Sequence, residues 1–355
     1  MATDYLVFIH GVSMRSSIEP PTYADELFSF IQNAVTRLAQ GNVAPKLVKV
    51  PLYWGSVSEA AENELLGEYR ASPYWQKFWF RELREGMLLQ FIGDIALYLS
   101  RYFGGRIADK LMKDAQSVLG SPQSLKPDSP DRFHLIGHSM GTIILFDLLF
   151  SARWDQEGVP GHDSVMAIRE AIYGVEPAWE KGIQLASITT MGAPLGLFSL
   201  INVDNSTVEQ KNGKGEIINT HDITPRLQLM LERMTSKLKG RKVPWLNFAH
   251  PGDALAYPLV PLIPKLVDGD RKYIETEDIL LDDAEWTDHI AELARNTPAA
   301  ILNSGNAHLS YMTSHQVAEK VARVILQTTA AVSSTTSTQK TTQPTMNTSG
   351  SAGQS

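Results

Sequence analysis

The chain has 355 residues, 43% of them hydrophobic, with a net charge of −7 and no cysteine. That length and apolar content suffice for one elaborated domain with a large buried core. The acidic balance weighs against nucleic acid as a partner, and the lack of thiols excludes disulfides, a thiolate nucleophile and cysteine-bound zinc.

The first apolar run, Tyr5 to Ile9, reads as a strand of β-branched and aromatic residues that ends directly in His10-Gly11-Val12-Ser13. Asp4 and Tyr5 interrupt any leader pattern, so a soluble, cytoplasmic protein is expected. A loop leaving the strand at Gly11 is able to aim backbone N–H groups at an oxyanion, and Val12 is the expected donor. His10 is expected to shape this loop. Residues 23–39 show helical spacing through Tyr23, Leu27, Ile31, Ala34 and Leu38, and Lys46 to Tyr53 reads as the next strand.

An insertion over about 54–115 follows, expected to serve as a cap or lid. Its aromatic cluster, Tyr74 to Phe80, is the candidate wall for an acyl group. The run Met87 to Leu99 is interrupted by Asp94 and falls short of the roughly 20 apolar residues that span a bilayer. It reads instead as a helix covering a sheet, and no transmembrane segment is expected.

Arg132 to Gly137 reads as a buried strand and Thr142 to Phe150 as a buried helix, with Gly137-His138-Ser139-Met140-Gly141 between them. A serine at a strand-to-helix turn projects its hydroxyl from the tip of a sheet, beside a helix N-terminus that favours negative charge. Ser139 is the candidate nucleophile, and the N–H of Met140 the second oxyanion donor. Leu185 to Met191 is the next strand, ending in Gly192-Ala193-Pro194. A polar insertion over about 202–241, expected to form either a lid or a docking surface, contains a Gly/Lys-rich tip at 210–215. It also holds a helical stretch, Pro225 to Leu238, whose apolar face is Leu227, Met230, Leu231 and Met234.

A serine needs a base, and the base needs an acid to orient it. Val243 to Ala249 is a strand candidate that turns sharply at His250-Pro251-Gly252-Asp253, which makes Asp253 the candidate acid. Carboxylates at 268, 270, 278, 282, 283 and 288 lie in charged stretches expected to be solvated surface. Three histidines follow Asp253. His289 sits in an acidic segment and His315 inside the terminal helix pattern. His308 follows the turn-rich 303–307 and leads into a helix ending near Leu326, so it is the candidate base. Residues 328–355, rich in Ser, Thr and Gln, are expected to be a disordered tail.

Alternating strand and helix patterns predict a mostly parallel central sheet with helices on both faces, formed by residues 1–327. With Ile9-His10-Gly11-Val12, the Gly137 to Gly141 turn, Asp253 after a late strand and His308 before the last helix, the chain resembles the α/β-hydrolases of the serine esterase and lipase group. The resemblance implies hydrolysis of a carboxylic ester through an acyl-serine, with no cofactor and no metal. The same triad serves acyltransferases, thioesterases and amidases, and a non-catalytic binding protein on this fold is the remaining alternative. The expected partner is a small acyl ester, lipids included, with His10, Gly11, His138, Ala193 and Pro194 as candidate substrate-lining residues. His250 beside Asp253 is too sparse a pair to hold an ion.

Overall fold

A computed structural model describes residues 2–12, 21–41, 43–81, 84–85, 89–120, 129–198, 222–238, 240–281 and 306–340; at 90–92, 101, 197–198 and 331–340 it describes the backbone alone. Six strands form one sheet: β1 (Thr3–Ile9), β2 (Lys46–Leu52), β3 (Arg132–His138), β4 (Gln184–Met191), β5 (Val243–Ala249) and β6 (Ile274–Leu280). Their order is β2-β1-β3-β4-β5-β6, and every neighbouring pair is parallel.

Period-two side-chain alternation explains how one strand feeds two cores. Along β1, Leu6 and Phe8 face one side, where they meet α1 (Asp25–Leu38) and the last helix through Leu27, Ile31, Val317 and Val321. Val7 and Ile9 face the other side, packed with Ile107, Leu111, Ile144 and Leu148. Those residues belong to α4 (Arg101–Leu119) and α5 (Met140–Phe150), the helix that follows β3. Burial of β3 along its whole length reflects this double cover.

The strands stand within a residue or two of their expected bounds. Departures lie elsewhere. The insertion after β2 forms α2 (Gly55–Ala71) and α3 (Leu89–Leu99), and α3 packs on α2 and α4 rather than serving as the sheet cover. Asp94, which interrupts its apolar run, is buried and accepts a 2.6 Å bond from Ser58 Oγ on α2, so the polar residue ties two helices together. The helix α6 (His162–Glu170) and the strand β6 went unread in the sequence. Asp268 and Asp278 are not solvated surface. Asp268 accepts from the N–H groups of Lys272, Tyr273 and Ile274, and Asp278 from those of Leu259 and Val260 and from Asn247 Nδ2.

In the second insertion, α7 (Thr224–Lys237) buries Leu227, Met230, Leu231 and Met234 as expected; the tip at 210–215 lies outside the described residues. The last helix, α8 (His315–Lys340), continues past Leu326 into the segment expected to be a tail, because extending an already packed helix costs little compared with starting one. Residues beyond 340, like His289, lie outside the described residues. Among the described residues, no helix is long and apolar enough to cross a membrane.

Candidate active site

Ser139 sits between the end of β3 and the start of α5 with φ 53° and ψ −134°, a left-handed conformation that a side-chain-bearing residue adopts only under local constraint. The constraint is tight packing. A Cβ on Gly141 would stand 2.1 Å from the carbonyl oxygen of His10, so glycine lets the first turn of α5 press against the β1 loop. That loop in turn crowds the serine: a Cβ on Gly11 would fall 2.5 Å from Ser139 Cβ and 3.0 Å from its Oγ. The expected oxyanion loop and the expected nucleophile therefore meet.

His10 holds this loop in place. Its Nε2 accepts from the N–H groups of Trp54 and Gly55, at 3.1 and 3.3 Å, which leaves the proton on Nδ1 to be donated to the Gly11 carbonyl at 2.6 Å. Trp54 stacks on the ring at 5.1 Å and donates its indole N–H to the His10 carbonyl. With both nitrogens committed and no exposed surface, His10 shapes the loop.

Across the sheet, β5 ends in the turn that carries Asp253, and His308 lies in a helical turn at 306–309 that runs on into Ser310–Thr313, where a loop had been expected. His308 Nδ1 stands 2.9 Å from Asp253 Oδ2. The carboxylate also accepts the Tyr311 hydroxyl at 2.8 Å and, through Oδ1, the Leu255 N–H at 2.9 Å. Burial alone would raise the Asp253 pKa; the bonds and charge from His308, with Leu255 and Tyr311, hold it below the ordinary carboxylate value. Tyr311 is pushed the other way by burial and by the Asp253 charge, so its hydroxyl keeps its proton and remains a donor.

Gly192 joins the two halves. Its N–H bonds the Phe248 carbonyl, the preceding Met191 carbonyl accepts the Ser139 N–H, and a Cβ here would stand 2.6 Å from Asp253 Oδ2 and 3.1 Å from His308 Nδ1. The residue against the His–Asp pair is thus Gly192. Ala193 packs into the core and Pro194 is buried beside it.

His138 donates from Nε2 to the His308 carbonyl at 2.7 Å, and its ring lies 4.7 Å from that of His308. Burial, followed by the nearby His308 ring, lowers its pKa to about 3, so it is a neutral spacer rather than a base. Among the described residues, the buried atoms at this end of the sheet without a hydrogen-bond partner include Ser139 Oγ, His308 Nε2, His138 Nδ1 and Thr142 Oγ1. Buried polar atoms are nearly always satisfied, so open ones clustered around a strained serine are unusual.

Tyr311 escaped the sequence reading, which noted Gly192 only as part of the turn that ends β4. The signal for Tyr311 was its i, i+3 spacing from His308, which puts both on one side of a helical turn. His250 belongs to the acid turn: its Nδ1 accepts the Gly252 N–H and its own N–H bonds Tyr311. Among the described residues, no group of three or more acidic or imidazole side chains is placed to hold a metal ion.

Six parallel strands in this order, with helices on both faces and a serine at a strained strand-to-helix turn, decide the architecture. The chain has the α/β-hydrolase fold. No family model matches it. Over 183 residues it is 23% identical to a probable mitochondrial phospholipase of Saccharomyces cerevisiae, covering 52% of this chain but only 19% of that protein. Among solved structures, Est1E of Butyrivibrio proteoclasticus with ferulic acid bound aligns at 9% identity and a TM-score of 0.27, over 78% of this chain and 79% of the other. The peroxisomal α/β-hydrolase Lpx1 of Saccharomyces cerevisiae aligns at 11% identity and 0.29, over 97% and 87%.

Proposed function

We propose that the protein is a serine hydrolase that cleaves carboxylic esters through an acyl-serine intermediate. The observation that carries this reading is the pairing of His308 Nδ1 with Asp253 while His308 Nε2 and Ser139 Oγ are left open, on the site's own side of the sheet. In that arrangement Asp253 fixes the Nδ1–H tautomer, so Nε2 has a lone pair for the serine proton. The hydroxyl attacks the acyl carbonyl, and the N–H groups of Val12 and Met140 donate hydrogen bonds to its oxygen as negative charge develops there. Met140 opens α5, so its N–H has no intrahelical acceptor and is available for this purpose. His308 then protonates the departing alcohol, water enters, and the same transfers in reverse release the acid.

The test is labelling by a fluorophosphonate followed by turnover of p-nitrophenyl esters of graded chain length. Labelling at Ser139 with burst kinetics supports the reading. A folded protein that is neither labelled nor active across the series would overturn it.

A further inference from the structure

The insertion after β2 exposes aromatic rings that the fold does not use. Trp75 is buried, stacked on Tyr69 at 5.8 Å and held by its indole N–H on Glu85, and so forms the base of the segment. Around it Tyr74, Phe78, Trp79 and Phe80 face solvent, with Trp79 77% and Phe80 60% exposed. They therefore form no wall for an acyl group, contrary to the sequence expectation. Phe80 also has φ 56°, a conformation costing roughly 1–2 kcal/mol for a bulky residue. Strain that turns two adjacent rings toward water has no benefit for folding.

Cations flank the rings. Lys77 lies over Tyr74 at 5.4 Å, and Arg84 lies over Phe78 at 5.2 Å while bonding the Trp79 carbonyl. Residues 69–85 hold four basic and two acidic side chains in a chain whose net charge is −7, and one of those acids, Glu85, is bound to Arg70. Exposed Trp and Phe among Lys and Arg is the composition that settles at the headgroup level of a bilayer: the rings enter the interface and the cations meet anionic lipid. The patch is also joined to the site, because α2 carries Tyr69 and begins at the Trp54 and Gly55 N–H groups that hold His10.

We propose that residues 69–81, with Arg84 and Glu85, form a docking surface that seats the protein on bilayers containing anionic phospholipid. Docking does not depend on the hydrolase reading, so it is tested with the full-length Ser139→Ala chain, and the two fail separately. Flotation is measured with vesicles of phosphatidylcholine alone and with about 30% phosphatidylglycerol added. The chain is expected to float with the anionic vesicles and to be released by salt. Trp79→Ser with Phe80→Ser should lower partitioning about ten-fold or more with unchanged circular dichroism. Lys77→Glu with Arg84→Glu should erase the preference for anionic over neutral vesicles. Absence of flotation, or flotation unaffected by the aromatic pair, overturns the proposal. So does a dimer in solution that the aromatic pair converts to monomer, since the face would then belong to a second copy.

Discussion

Each end of the sheet holds a buried histidine bonded to a buried aspartate, yet the two clusters are built to opposite ends. At the N-terminal end, Asp4 takes both branches of the Arg132 guanidinium and His134 Nε2 at 3.3 Å, His134 Nδ1 meets Ser187 Oγ at 2.8 Å, and Arg132 reaches Thr329. At the C-terminal end, Asp253 and His308 are paired as closely, but His308 Nε2 and the serine before it are open. A histidine with both nitrogens satisfied has no vacancy for a substrate proton. The difference between the clusters is therefore the second nitrogen of the histidine, satisfied in one and open in the other.

The largest expected effect breaks the open cluster at its centre. Ser139→Ala should lower kcat for ester cleavage by about 10⁶-fold while leaving the denaturant midpoint close to that of the parent chain, because the hydroxyl has no partner to lose. Matched substitutions at the two aspartates come next. Asp253→Asn should reduce kcat by about 10⁴-fold through the wrong imidazole tautomer, with a modest loss of stability. Asp4→Asn should do the reverse. It strands the buried Arg132 at a cost of about 3 kcal/mol, measured by urea unfolding, and leaves the kcat of the folded fraction unchanged. Equal effects on activity would dissolve the distinction between the two clusters.

The open cluster was legible because its chemistry is written locally: the glycine-flanked serine after an apolar run, the Pro-Gly-Asp turn after β5, the single loop-like histidine before α8. What was not legible depends on tertiary contact. β6 reads Ile-Glu-Thr-Glu-Asp-Ile-Leu, an edge strand whose polar residues stay partly exposed, so no apolar run announces it. Asp268 and Asp278 looked like surface charges because their partners are backbone N–H groups brought in by folding. Gly192 carries no side chain to notice, and its place under Asp253 and His308 follows from how β4 ends beside β5. The aromatic cluster at 74–80 was visible, but composition does not say which way rings point.

His138 sharpens the comparison through pH. Its folded-state pKa of about 3 lies below the ordinary 6.5, so an unfolded chain takes up a proton there between pH 6.5 and 3 while the folded chain does not. Stability from this group is therefore complete above pH 6.5 and falls as pH drops through that window, by up to about 1.4 kcal/mol per pH unit. His138→Gln keeps a nitrogen donor for the His308 carbonyl and does not titrate. The difference in unfolding free energy between parent and variant should accordingly slope between pH 6.5 and 4 and flatten above 7. A pH-independent difference would mean that His138 is solvated in the folded protein.

Tyr311→Phe is the smallest and the most discriminating. Its hydroxyl donates to Asp253 and accepts the His250 N–H, so removal costs about 1–2 kcal/mol, most of it from the buried N–H left without an acceptor. Asp253 still has His308 and Leu255, and kcat should fall by less than about ten-fold. The carboxylate, however, loses one of the bonds that depress its pKa. A group held below its unfolded value stabilises the fold above that value and loses the contribution as pH falls through the folded one. With the depression reduced, the acid loss of stability near pH 4 and below should be shallower in the variant than in the parent, once their difference at pH 7 is subtracted. If kcat instead falls as far as in Asp253→Asn, Tyr311 orients the acid rather than merely supporting it, and the division between an open pair and its satisfied surroundings moves one residue outward.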